Sequence, residues 1–239
     1  MPVAGTQESA DTAKKLVVAI DGPAGAGKST LSTRLARDLG YLYIDTGAMY
    51  RAVACLVAQQ GLDPRDEAAL EDLCRHISID LVATGRGLKV LAMGKDVTDQ
   101  IRTPEISALT PLVAASIAVR TAMVGLQRKL GEAGGVVLEG RDIGTVVFPE
   151  ADVKFFLSAS AAERGRRRYQ ELLEKGFAAD LEETISAVKE RDRADMERTT
   201  SPLKQATDAI VVDSTKMTID EVLELMQYQV REREKRMKG

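Results

Sequence analysis

The chain has 239 residues, 44% hydrophobic and 29% charged, with a formal net charge of −3 from 33 basic and 36 acidic side chains. These values exclude the collagen-like, low-complexity and disordered classes, and they leave enough apolar material for one large or two small packed domains. They also offer no global positive field to attract nucleic acid. Cys55 and Cys74 are the only cysteines, too few for a disulfide framework or a zinc site, and each is expected as a buried small hydrophobe in the reducing cytoplasm.

Residues 1–14 are small, polar and without period, and read as a disordered lead-in. The apolar run 16–20 is too short for a signal-peptide core or a membrane span. It ends in glycine-rich punctuation, followed by a helical stretch over 29–39 and a second apolar run over 41–44, which together predict a βαβ opening. Further buried strands are predicted at 136–138, 153–157 and 209–212, as suits a parallel sheet covered on both faces. Between them, short runs at 77–82, 88–93 and 96–98, separated by Gly-containing turns, predict a small antiparallel meander inserted in the α/β core. Thr103-Pro104-Glu105 signals a helix running to about residue 130, with Pro111 disturbing its start. A capping box at Thr218 and Glu221 opens a last amphipathic helix expected to pack on the sheet.

Gly22-Pro23-Ala24-Gly25-Ala26-Gly27-Lys28-Ser29 matches the P-loop pattern and stands between a strand and a helix, where the chemistry needs it. Glycines let main-chain N–H groups wrap a phosphate, and the helix N-terminus adds its positive end. Lys28 supplies a mobile charge for the β and γ phosphates, the Ser29 hydroxyl suits Mg²⁺, and Thr30 continues the motif. The chain has no Asn for a guanine-reading N-K-x-D and no D-x-x-G, which argues against a GTPase. Glu139 closes the run 136–138 as a hydrolase acid would, but Arg141 beside it suggests a second anion instead.

That second anion has other candidate ligands. Tyr50 and Arg51 follow the second strand, so they rise at the carboxyl edge of the sheet beside the P-loop, where Arg141 and Asp142 also emerge. The segment 161–198 carries nine basic and ten acidic residues, so it is not a nucleic-acid patch. Its arginines gather at the ends, with Arg164 and Arg168 in the first cluster and Arg191 and Arg198 in the last, as in helical arms that swing over a transferring phosphoryl group. Arg166 and Arg193 read as ordinary solvated residues, as does the i,i+4 pair of Glu163 and Arg167. His76, the single histidine, receives no chemistry.

With AIDGPAGAGKST, IDTGAMYR, DVTDQIRT, LEGRDIGTVVFP, EKGF and VKERDRADMERTTSPL in that order, the chain resembles the bacterial cytidylate (CMP) kinases over nearly all of 15–230. The resemblance implies an α/β, three-layer P-loop kinase fold: a central five-stranded parallel sheet, helices on both faces, a small antiparallel β insertion and a helical lid. It implies one kinase domain over 15–235, with its core at 15–65, 103–160 and 199–235, the insertion at about 66–102 and the lid at about 161–198. ATP with Mg²⁺ is the implied donor, CMP or dCMP the acceptor, and the enzyme is expected as a monomer with no nucleic-acid or membrane partner.

By the same resemblance, Arg51, Arg141 and Arg191 hold the monophosphate, Asp195 takes the ribose hydroxyls with help from Tyr50 and Arg198, and Arg120 and Asp142 read the cytosine edge. Asp45, Thr46 and Arg102 line the same acceptor site, and Lys28, Arg164 and Arg168 stabilise charge on the transferring group. One departure stands out: Pro111 occupies the position where the family usually has a serine against the base, and the neighbouring Thr110 is expected to take over that contact. A kinase for another small acceptor, such as shikimate or gluconate, would share the P-loop but has no reason to carry the meander with Arg120 and Asp142. A nucleotide-dependent binding module predicts ATP binding without ADP release when CMP is added.

Overall fold

The computed structural model describes residues 15–85, 87–174, 176–198 and 200–238, so the expected lead-in at 1–14 lies outside the described residues. Five short, mostly apolar runs become parallel strands: β1 (Val17–Asp21), β2 (Leu42–Asp45), β6 (Val136–Gly140), β7 (Val153–Ser158) and β8 (Ile210–Asp213). Their order across the sheet is β2-β6-β1-β7-β8, with β1 central between β6 and β7. Alternate residues of β1, β2 and β6 enter two separate cores, while β7 and β8 contribute apolar side chains to one of them. Ala19, Ile44, Val136 and Leu138 pack on one face against α2 (Thr46–Gln60) and α5 (Ile117–Gly131), while Val18, Ile20, Val137, Phe155 and Leu157 pack on the other against α1 (Lys28–Leu39) and α8 (Ile219–Lys238). The sheet is therefore covered on both faces, as its continuous apolar strands require.

Register sets the working edge. Ile20 pairs with Glu139, Asp21 with Gly140 and Asp45 with Glu139, so the carboxyl ends of β1, β2 and β6 finish level with one another. The chain runs from β1 to β2 on one side and from β6 to β7 on the other, which opens a crevice at this edge.

The meander is also present: β3 (Ile79–Thr84), β4 (Gly87–Ala92) and β5 (Lys95–Asp96) form a three-stranded antiparallel sheet, preceded by α3 (Glu67–Arg75), which the sequence reading did not anticipate. The helix expected from 103 to about 130 is two helices. Thr103 caps α4 (Pro104–Val113), which continues through Pro111, and Ser116 caps α5 by accepting from Val119 N. The break falls at 114–116 and bends the chain by 100°. Pro111 therefore weakens α4 without ending it, and it is the Ser116 cap that starts a new helix in a new direction. Among the described residues no single helix is long and apolar enough to cross a membrane. A helical hairpin, α6 (Ala161–Glu174) and α7 (Leu181–Glu197), stands between β7 and β8.

Candidate active site

The P-loop joins β1 to α1. Gly22 has φ +148°, and a Cβ there would stand 2.0 Å from the Leu157 carbonyl oxygen, so only glycine allows the loop to leave the sheet beside β7. Gly25, at φ +76°, lies against the start of α6. Lys28 folds back over the loop, its buried Nζ donating to Gly22 O at 2.7 Å and Pro23 O at 2.8 Å. Burial first, and then the Arg141 charge, push its pKa down to about 7. Ala24 O accepts from Arg164, and Ala26 is buried with its carbonyl accepting from Ser214 Oγ at 3.4 Å. Gly27 caps α1 in the left-handed region, and Ser29 and Thr30 are exposed on its first turn.

Glu139 stands next to last in β6, paired with Ile20 of the neighbouring β1. It is buried, accepts a hydrogen bond from the Tyr43 hydroxyl, and has its pKa raised first by burial and then by the Asp45 carboxylate, with Lys28 and the nearby Ser29 hydroxyl acting in the opposite sense. Thr46 is buried as well, its hydroxyl donating to Glu139 O at 2.6 Å, which ties α2 to β6. Asp21 accepts from Ile143 N and Gly144 N at 2.8 and 2.7 Å, fixing a π-helical turn (Ile143–Val147) behind the crevice, and burial raises its pKa to about 6.

Arg51 and Arg141 reach the crevice already holding carboxylates. Arg51 Nη2 stands 3.0 Å from Asp45 Oδ2, while Asp45 also caps α2 by accepting from Ala48 N. Arg141 Nε donates to Asp195 Oδ2 at 2.8 Å. Arg191 stays open to solvent yet is crowded by protein, as on a concave wall, and its pKa is lowered by that crowding and then by Arg141, with Arg51 and Arg168 adding to the repulsion. Lys28 thus lies within range of the charges of Arg141 and Arg191, and Arg191 within range of those of Arg141, Arg51 and Arg168, which gathers the five cations about the crevice.

Deeper in, Arg120 and Asp142 form an ion pair, each 5% exposed, with the Arg120 guanidinium 5.8 Å from the centre of the Tyr50 ring. Arg198 lies close to Asp195, Arg120 and Asp142, and its Nε and Nη2 are buried without a hydrogen-bond partner. Thr110 donates its hydroxyl to Ile106 O at 2.6 Å within α4. Arg102 ends a 3₁₀ turn (Gln100–Arg102) and is exposed, and no side-chain hydrogen bond or ion pair of its own is found among the described residues. Arg168 is ion-paired to Glu171 at 2.8 Å near the surface.

Several residues here were not singled out from the sequence. Arg167 makes the foreseen pair with Glu163, but it also reaches Ser214 O at 2.9 Å beside Gly27. Tyr43 and Ser214 carried no sequence signal beyond their types. Glu139 did, as an acid at a strand end, and the structure sets it near Ser29. For Mg²⁺ the donor set fits. Ser29 and Glu139 offer two hard oxygens side by side, and Mg²⁺ usually takes one or two protein oxygens with its remaining positions on phosphates and water. No cluster of three or more acids, histidines or cysteines that could hold a metal alone occurs among the described residues.

A phosphate-wrapping loop on the central strand of a doubly covered parallel sheet, faced by converging guanidiniums, defines a P-loop kinase that passes a phosphoryl group to a small anionic acceptor. The particular kind follows from comparison: the chain belongs to the cytidylate kinase family, whose model matches residues 18–232. It is 58% identical over 218 residues to the cytidylate kinase of Geobacter sp. (strain M21), covering 91% of this chain and 94% of that one. It is 54% identical over 231 residues to that of Geobacter sulfurreducens, covering 97% and 99%. Among solved structures, an uncharacterized protein from Eubacterium ventriosum superposes with a TM-score of 0.52 at 11% identity over 91% of this chain, a likeness of fold alone.

Proposed function

We propose that the chain transfers the γ-phosphoryl group of ATP to CMP or dCMP, giving ADP and CDP or dCDP. The observation that carries this reading is the convergence of Arg51, Arg141 and Arg191 opposite Lys28, with the buried Arg120–Asp142 pair behind them. The P-loop, Gly22 to Thr30, holds the donor phosphates. Arg51, Arg141 and Arg191 take the acceptor phosphate, Asp195, Tyr50 and Arg198 the sugar, and Asp142 and Arg120 the amine and the ring acceptors of cytosine, with Thr110 beside them. Asp45, Thr46 and Arg102 complete that wall, Asp45 by aiming Arg51 and Thr46 by fixing the end of β6. A uracil would set an acceptor against a carboxylate, so base choice follows from the cost of unpaired buried groups.

The attacking atom is an ionised phosphate oxygen, so no general base is needed. Lys28 leaves the loop carbonyls for the phosphates, and Arg168 gives up Glu171 to close on the transferring group. Of Arg164 and Arg168, Arg164 has all three nitrogens engaged by protein, which leaves charge stabilisation to Arg168 and Lys28. Ser29 and Glu139 would hold Mg²⁺, which when bound neutralises charge on the phosphate oxygens. We assign 161–198 as the lid, 66–102 as the acceptor-side insertion and the remainder of 15–235 as the core of one domain, acting as a cytoplasmic monomer.

The test is a coupled assay of ADP release with ATP and CMP, dCMP, UMP or AMP in turn. Turnover should be fast with CMP or dCMP and slow with the others. ADP release that no cytidine nucleotide stimulates would overturn the reading.

A further inference from the structure

One buried guanidinium joins the two halves of the site. Arg164, on the first turn of α6, is 4% exposed. Its Nε donates to Ala159 O at 2.8 Å, its Nη1 to Ala24 O of the P-loop at 3.0 Å, and Nη1 and Nη2 grip the two oxygens of Asp192 at 2.9 and 2.5 Å. Asp192 is also buried, at 8% exposed. The start of α6 lies directly on the donor loop, since a Cβ at Gly25 would stand 3.1 Å from Arg164 Cβ and 3.2 Å from its carbonyl oxygen. Asp192 belongs to α7, where Arg191 precedes it and Asp195 follows three residues later, bonded to Arg141 at 2.8 Å. The main chain of the donor loop is thus wired through a single fork to the helix that carries the acceptor-side groups.

A buried ion pair of this kind contributes little net stability, because desolvation offsets most of the attraction, yet its two-pronged geometry tolerates little misalignment. Holding two helices together would be served as well by apolar side chains. We infer that Asp192 is a positioning residue: acting through Arg164, it sets α7, with Arg191 and Asp195, to the state of the P-loop, so that phosphate binding in the loop strengthens binding of the acceptor nucleotide. The inference rests on the assignment of Arg191 and Asp195 to the acceptor. Coupling of this type is typically worth ~5–150-fold in affinity.

The experiment compares wild type, Asp192→Asn and the double variant Arg164→Met/Asp192→Leu, whose apolar pair keeps the hairpin packed without the fork. CMP affinity is measured by calorimetry with and without a non-hydrolysable ATP analogue and Mg²⁺. In wild type the analogue should tighten CMP binding at least ~5-fold, and in both variants that ratio should fall to within ~2-fold of one. A ratio of one in wild type, or an unchanged ratio in the variants, overturns the inference while leaving CMP binding and the proposed reaction intact. Hydrogen exchange supplies a readout that does not involve CMP. The analogue alone should protect amides of 188–198 in wild type and not in the double variant, and wild-type amides there that ignore the analogue would also refute the coupling. Failure of CMP to bind wild type under any condition would instead count against the proposed reaction.

Discussion

Arg120 on α5 and Asp142 just after β6 form a buried ion pair under the Tyr50 ring, and each is the other's only charged partner by direct bond among the described residues. Asp142→Ala leaves a buried cation without its carboxylate, which should cost ~3–5 kcal/mol. At this chain length that lowers the melting temperature by roughly 10 °C, measurable by circular dichroism. Asp142→Asn keeps the shape and loses the charge. Its kcat/KM ratio for CMP over UMP should fall at least ~10-fold in the coupled assay.

Lys28 holds the donor loop closed through Gly22 O and Pro23 O. Lys28→Ala removes both that closure and the charge offered to the transferring group, and kcat should fall by at least ~10²-fold. Steady-state turnover near the wild-type value would contradict the site.

Tyr43 donates to Glu139, which Ser29 also reaches. Tyr43→Phe frees the carboxylate to turn within its pocket, so Mg²⁺ should bind the ATP complex ~10–100-fold more weakly, as expected for a partner that orients a metal-facing acid. Titration of the ATP complex with Mn²⁺, followed by electron paramagnetic resonance, checks this without turnover.

Thr110 has spent its hydroxyl proton on Ile106 O, so toward a base it can only accept. That favours the cytosine amine over the uracil carbonyl. Thr110→Val should raise KM for CMP ~2–10-fold with KM for UMP unchanged, and equal effects on both nucleotides would remove Thr110 from base recognition.

Asp21 has its pKa raised by burial from 3.8 to about 6, so the folded chain binds a proton more tightly than the unfolded chain. Its contribution to stability is therefore greatest below pH 4 and is lost as the pH rises through 6, by about 3 kcal/mol at most. Denaturant midpoints of wild type relative to Asp21→Asn should decline across this window and run parallel above it.

The strands, the P-loop and the meander were legible because each is a local pattern: apolar runs fully buried in a parallel sheet, glycines at a tight turn, short runs between turns. The cap at Ser116 was equally local but was hidden by the louder signal of Pro111, and α3 was overlooked within the insertion. Of the cationic residues of the site, Arg51 and Arg141 could be placed from the sequence because strand ends predict their edge of the sheet, the arginines of 161–198 drew notice by clustering, and Arg120 entered only through the family resemblance. Their partners could not be placed. Arg164 with Asp192, Arg141 with Asp195 and Tyr43 with Glu139 are 28, 54 and 96 residues apart, and nothing in the spacing of either member marks the other.

Arg51, Arg141 and Arg120 each wait with an aspartate in hand. The resting pocket is in this sense its own counter-ion. A chloride or other weak monovalent anion gains too little to displace Asp45 from Arg51 or Asp195 from Arg141, whereas a phosphate dianion reaches both guanidiniums at once, so a kinase in salty surroundings stays free for the ligand with enough charge to open it.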